Sequence, residues 1–279
     1  MRRAEELGMS ALALTEHGNI SSHVQLEKAA TGTGVKPIFG CELYMGRVGE
    51  GATQRKNHLT VLAEDEDGYR NLMRLCSRGW EQFYYEPTVS FADLVEFGSG
   101  LVVLSGCTGS LLATSLVGGK NIAPEDANYN RARAVARSFQ RALGDAFYLE
   151  VQAFPELEVT RQINVAYQAL GQELGIPLVA TGDVHYTRPA ESELQKVLHN
   201  VRGGGRKTLE EQARAWGYDV PLSPPSSDAY MYRRLRGTGL SHRGALGAMA
   251  STLEIAGRCN VTLPKLPMVR FPVPDGYPD

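Results

Sequence analysis

Six residues of this 279-residue sequence, His17, Glu42, His58, Cys107, Asp183 and His185, have the side chains that could act together on a phosphate ester. A multinuclear hydrolytic metal site needs imidazoles and carboxylates, with at least one ligand able to bridge ions, so that positive charge is concentrated on a phosphate and on an attacking hydroxide. Asp183-x-His185 is the sharpest local element, because alternate residues at the end of a strand project to the same side. Taken singly, four of them also have a plainer reading. His17 would be a satisfied turn histidine, His58 a solvated rim residue, Glu42 a turn carboxylate without a partner, and Cys107 a small buried apolar side chain. Glu16, beside His17, is read either as supporting a ligand from behind or as capping a helix.

The elements that must position these residues follow from periodicity. A helix tail at Arg2–Leu7 closes on Gly8 and leads into the apolar run Ala11–Leu14; helical Ser22–Ala30 leads into Lys36–Phe39. An alternating strand, His58–Leu62, is followed by a helix through Gly68–Gly79 and the strand Leu101–Leu104. Two longer helical segments, Pro124–Leu143 and Glu158–Leu174, precede Phe147–Val151 and Ile176–Ala180. Helices alternating with short apolar strands predict a parallel sheet covered by helices, open or closed into a barrel. Four of the strands run directly into His17, Glu42, Cys107 and Asp183-x-His185. Carboxyl ends of strands are where parallel α/β folds gather their chemistry, so convergence on one pocket is expected.

Composition excludes several classes. With 43% hydrophobic and 22% charged residues the chain is an ordinary globular one, and its formal net charge of −2 lacks the basic footprint of a free-standing nucleic-acid-binding domain. No apolar run is long enough for a membrane span and the first residues lack a signal-peptide core, which predicts a cytoplasmic protein. Cys41, Cys76, Cys107 and Cys259 form no Cys-x-x-Cys pair, so neither a zinc ribbon nor a disulfide framework is expected. Gly203–Gly205 lacks the Gly-Lys-Ser/Thr ending of a phosphate cradle. His23, His199 and His242 are read as ordinary histidines.

Beyond about residue 190 the alternation gives way to Gly- and Pro-rich stretches around one or two helices, the clearer at Gly244–Gly257. The expected organisation is therefore a barrel over 1–190, a helical and loop appendage over 191–263, and a linker over 264–279.

Ala11-Leu12-Ala13-Leu14-Thr15-Glu16-His17-Gly18-Asn19 followed by Lys36-Pro37-Ile38-Phe39-Gly40-Cys41-Glu42 resembles the opening of the PHP (polymerase and histidinol phosphatase) domain of bacterial and phage DNA polymerase III alpha subunits. The resemblance continues through His58–Ala63, Leu104–Cys107, Tyr148–Gln152, Gly182–Tyr186, Ser251–Val261 and Leu263–Lys265, in the family's order and over nearly the whole chain. It implies a distorted, TIM-like β/α barrel with a metal cluster at one end, and places His17, Glu42, His58, Cys107, Asp183 and His185 at ligand positions for divalent ions, zinc or manganese, with magnesium a third candidate. Glu16 stands where the family usually has Asp.

The resemblance further implies a part in DNA replication, with DNA, the polymerase core and other replisome subunits as partners, and a metal-dependent phosphoesterase capacity acting as a proofreading 3′–5′ exonuclease. Two departures bear on that expectation. The family's first strand, with its His-x-His pair and a following Asp, has no counterpart here, so the barrel is expected to lack a strand and the site part of its ligands. The Asp-x-Asp that holds the polymerase's magnesium ions is also missing, so this chain alone is expected not to polymerise DNA. An unpaired barrel edge invites pairing or aggregation, and the isolated chain is expected to be poorly stable and catalytically weak. The alternatives are a stand-alone PHP phosphoesterase and a non-catalytic structural module of a split polymerase.

Overall fold

The structure, a computed structural model, describes residues 1–46, 57–119, 122–202, 208 and 220–265. Gly203–Gly205, the His199 side chain and the closing prolines from Pro267 onward lie outside the described residues. The elements run α1 (Arg2–Glu6), β1 (Ala11–His17), α2 (His23–Ala30), β2 (Lys36–Met45), β3 (Asn57–Ala63), α3 (Glu66–Glu81), β4 (Thr88–Val89), α4 (Phe91–Phe97), β5 (Leu101–Leu104) and α5 (Leu111–Val117). They continue with α6 (Tyr129–Leu143), β6 (Phe147–Gln152), α7 (Glu158–Leu174), β7 (Leu178–Thr181), α8 (Ser192–Arg202), α9 (Asp228–Gly237) and α10 (His242–Arg258). Side-chain caps start many of the helices: the Asp65, Ser110, Asn128, Ser227 and Ser241 side chains each accept a backbone N–H of the first turn.

One seven-stranded sheet in the order β1-β2-β3-β5-β6-β7, with β4 paired to β2, curls into a half-barrel. The expected parallel pairing holds for β1 with β2, β5 with β6 and β6 with β7, and departs at one strand: β3 is antiparallel to both neighbours. The connection from Met45 to Asn57 is shorter than the dozen or more residues a parallel crossover requires, so β3 must run back alongside β2. His58, at the start of β3, therefore lies beside Tyr44, near the carboxyl end of β2.

The two faces of the curl differ. Phe39, Cys41, Leu43, Leu59, Val61, Leu101, Val103, Phe147, Leu149 and Val151 point outward into the main core, where they meet buried residues of the covering helices such as Leu72, Leu94, Leu112, Phe139 and Tyr167. The inner face is apolar only at one end. There Ile38, Leu62, Val102, Leu104, Tyr148 and Val179 pack against Ile255 of α10 and Cys259 just beyond it.

Helix α10 is held in this lumen by its polar end. Lys36 Nζ donates to the Ala256 carbonyl, Arg258 Nε donates to Glu64 at 2.5 Å, the Asn260 N–H donates to the Glu64 carbonyl at 2.6 Å, and the Tyr148 hydroxyl donates to Glu254 at 2.8 Å. Helix α10 is thus packed as a floor beneath the sheet. Among the described residues no helix is long and apolar enough to cross a membrane.

Candidate metal centre

At the opposite end of the inner face the strand ends bring His17, Glu42 and His58 together, with Cys107, Asp183 and His185 at the same mouth. His17 and Glu42 are register partners across β1 and β2, and Thr60, two residues along β3 from His58, pairs with Glu42. Glu42 takes both histidines: His17 Nε2 lies 3.1 Å from Oε2 and His58 Nδ1 lies 2.5 Å from Oε1. Burial pushes the Glu42 carboxyl up, but hydrogen bonds and charge from His17 and His58 outweigh it and hold the group at about 2. Ligand atoms of His17, Glu42 and His58 all lie within 4.8 Å of one another, a separation and a donor set that one divalent ion fits.

The other three surround this group. Cys107 Sγ stands 3.4 Å from His58 Nδ1. Two glycines with positive φ make the close packing possible. Gly106, at φ +84°, passes so near His58 that a Cβ would lie 2.4 Å from its carbonyl, and Gly18, at φ +64°, would meet Pro87 at 2.5 Å. Trp80 secures the Gly18 turn by donating its indole N–H to the Gly18 carbonyl at 3.0 Å. The rings of His17 and His185 are 6.4 Å apart, which brings the ends of β1 and β7 to the same mouth.

Asp183 and His185 reach the site by a different route from the expected strand pleat. Strand β7 stops at Thr181, and Asp183 adopts φ +44°, a left-handed conformation that asparagine and aspartate tolerate better than other side chains. The His185 ring nitrogen Nδ1 donates to the Asp183 carbonyl at 2.7 Å, and the His185 backbone N–H donates to the Leu222 carbonyl at 2.8 Å. Leu222 packs in turn with Phe154 and Val220, so a segment distant in sequence fixes the turn. Burial raises the Asp183 carboxyl above its ordinary range, against the opposing charge of His185.

Cys107 beside His58 suggests a cysteine nucleophile with an imidazole base, and the electrostatics oppose it. Burial, reinforced by the Glu42 and Asp183 charges, pushes the thiol well above its ordinary range, and His58 Nδ1 is already engaged by Glu42. Glu16 faces the other way. Its carboxylate accepts from the Ser22 N–H at 2.9 Å and the Ser22 hydroxyl at 2.8 Å, the capping one of its two expected roles. His23 is a core histidine between the Gly40 carbonyl and the Tyr69 hydroxyl, and His242 opens α10, where it meets the Tyr232 hydroxyl.

One buried group escaped the sequence reading. Glu150 on β6 accepts from the Thr181 hydroxyl at 2.7 Å and the Thr60 hydroxyl at 3.4 Å, and burial pushes its carboxyl up to about 7. The signal was present in the alternation Tyr148, Glu150, Gln152 against Phe147, Leu149, Val151, which marks one polar-ended face.

Fold and site together define an α/β half-barrel with a metal-capable mouth. The chain belongs to the PHP domain family, whose model matches residues 1–154. It is 33% identical to DNA polymerase III subunit alpha of Treponema pallidum, over 98% of this chain and 23% of that protein. Similar figures hold for the Thermus aquaticus subunit, at 31% over 95% and 22%, and for that of Deinococcus radiodurans, at 32% over 95% and 20%. The chain thus spans between a fifth and a quarter of the length of these curated relatives, and it is homologous to their PHP region.

Proposed function

We propose that this chain is the PHP portion of a replicative DNA polymerase of the polymerase III alpha type, and that its centre holds divalent ions, zinc or manganese, for phosphodiester hydrolysis at DNA 3′ ends. The observation that carries the proposal is the convergence of His17, Glu42 and His58 within one ion's reach, with Cys107, Asp183 and His185 around them. Under this reading those six side chains are the ligands. Divalent ions in such a centre supply Lewis-acid stabilisation of phosphoryl charge and make water acidic enough to attack near neutral pH.

The chain's own residues supply the rest. Glu42, ionised throughout the physiological range, orients both imidazoles; the Gly18 and Gly106 turns bring His17 and Cys107 close; the Leu222 carbonyl fixes His185. DNA and the remaining polymerase and replisome subunits would be its partners, residues 264–279 would lead from the 1–190 barrel and the 191–263 appendage toward the polymerase core, and the cytoplasm would be its compartment.

Elemental analysis of the purified chain, with release of a 3′-labelled nucleotide from single-stranded DNA in Mn2+ or Zn2+, tests the reading. Bound metal together with weak hydrolysis that Glu42→Ala abolishes is the expected result. Metal-free protein that takes up neither ion and leaves DNA intact would refute it.

A further inference from the structure

Beneath the six candidate ligands lies a second polar layer, and a single residue connects it. Glu150 is buried in the lumen, 6% exposed. Its side chain accepts from the hydroxyls of Thr181 and Thr60, while its backbone N–H donates to the Ser105 hydroxyl at 2.9 Å. Each of those three hydroxyl residues stands two positions from a candidate ligand: Thr60 from His58, Ser105 from Cys107, Thr181 from Asp183. On β3 that spacing puts Thr60 on the same face as His58. Gln152, two residues beyond Glu150 on β6, adds a contact from its side-chain amide to Asp183 Oδ2 at 3.4 Å.

From this juxtaposition we infer that Glu150 is the positioning residue of the centre, tying together the three segments that carry His58, Cys107 and Asp183 and so setting the spacing of the ligands. A residue needed only to fill the lumen would be apolar, as its neighbours one step lower are, because a buried carboxyl is costly unless its hydrogen bonds are made. Glu150 instead collects hydroxyls from strands on both sides of its own, β3 and β7, which do not pair with each other. Its side-chain hydrogen bonds run to Thr60 and Thr181 and its backbone N–H to Ser105, and its action is through those three residues. The inference rests on the reading of the centre as a cation site, and its test separates the two.

The 279-residue chain is prepared as wild type, Glu150→Gln, Glu150→Leu and Thr181→Val. Glutamine keeps acceptor capacity at nearly the same shape, leucine keeps the volume alone, and Thr181→Val removes the shortest side-chain bond while leaving Glu150 in place. Three quantities are read: thermal melting; uptake of Co2+, Mn2+ and Zn2+ added alone; and, in metal-free protein, the ring 1H–15N resonances of His58 and His185.

We expect Glu150→Leu to weaken metal uptake by about 10-fold to 100-fold, the range seen when a partner behind a ligand is lost, and to displace the ring resonances. Thr181→Val should do the same to a smaller degree, and Glu150→Gln should stay within about threefold of wild type. Wild-type uptake and unmoved rings in a folded Glu150→Leu would overturn the inference. So would equal damage in Glu150→Gln and Glu150→Leu that tracks only their melting. Should the wild type take up no metal, the cation-site reading fails, and the ring resonances alone decide whether Glu150 positions the histidines.

Discussion

Followed at every second residue, the inner strands change character over a single step. Ile38 gives way to Gly40 and Glu42, Leu62 to Thr60 and His58, Tyr148 to Glu150 and Gln152, and Val179 to Thr181 and then Asp183. Below the step the lumen is apolar and α10 closes it; above, hydroxyls and then metal-capable side chains face one another. The same backbone ladder serves both ends, so the stability of the floor and the chemistry of the mouth are set by which residue of a period-two series stands at which height. The antiparallel β3 takes part on equal terms, because reversing a strand reverses the order of its residues and not the faces they occupy.

The sharpest way to break the comparison is to move a carboxylate one layer down. Val102 is fully buried in the floor among apolar side chains. Val102→Asp is expected to cost more than about 4 kcal/mol and to leave the chain unfolded or molten, measured by urea denaturation and near-ultraviolet circular dichroism. A cooperative transition within about 1 kcal/mol of wild type would show that the floor is less dry than its contacts imply.

The polar layer should reveal itself by pH dependence. Burial raises the Glu150 carboxyl from the ordinary 4.5 to about 7 in the folded chain. Below the unfolded value both states carry the proton and the group is neutral to stability. As pH rises toward 7 the unfolded chain ionises while the folded chain does not, and folding loses on the order of 3 kcal/mol, constant at higher pH. Glu150→Gln has no such loss, so in metal-free protein its stability relative to wild type should climb between about pH 4.5 and 7 and then level. A flat difference across that window would mean that Glu150 ionises normally in the fold.

At the mouth, Glu42→Ala should leave the floor intact while His17 and His58 lose the carboxylate that orients both. Metal uptake is expected to fall by about 100-fold, a little under 3 kcal/mol, with melting shifted by only a few degrees; titration calorimetry alongside thermal melting measures the pair. Coupled loss of melting and uptake in proportion would show that mouth and floor are one cooperative unit.

Much of this division could be read from the sequence, and the unread part has a common cause. Apolar runs placed His17, Glu42, Cys107 and Asp183 after strands before any geometry, because strand propensity and polar punctuation are local. His58 stands among the six, though in isolation it reads as a rim residue, since its partner strand is a fact about pairing: only the reversal of β3 sets it beside Tyr44 and Glu42. Asp183-x-His185 was found as a pair, yet its geometry comes from a left-handed turn and the Leu222 carbonyl, which no local pattern encodes. The helix expected over Gly244–Gly257 formed over His242–Arg258, but its place under the sheet depends on long-range partners, Lys36, Glu64 and Tyr148. Glu150 sat in plain alternation and was passed over because its meaning lies in what the neighbouring strands offer it.

The smallest expected effect sharpens the comparison most cleanly, because it touches the mouth from outside the lumen. Trp80 is half exposed and stacks on Phe83 with their rings 5.4 Å apart, while its indole N–H holds the Gly18 carbonyl next to His17. Trp80→Phe keeps the stacking and deletes that one donor. Loss of a neutral hydrogen bond at a partly exposed site is worth about 1 kcal/mol, and the Gly18 carbonyl can turn to water, so folding stability should drop by that much or less. Because Gly18 also donates its N–H to the Glu42 carbonyl, the loosened turn bears directly on the strand pair that carries two of the candidate ligands. Metal uptake should then weaken by about threefold to fivefold, comparable in free energy to the one hydrogen bond removed. Unchanged uptake in Trp80→Phe would mean that the β1–β2 register alone holds His17 in place, and that the end of α3 lies beside the mouth without shaping it.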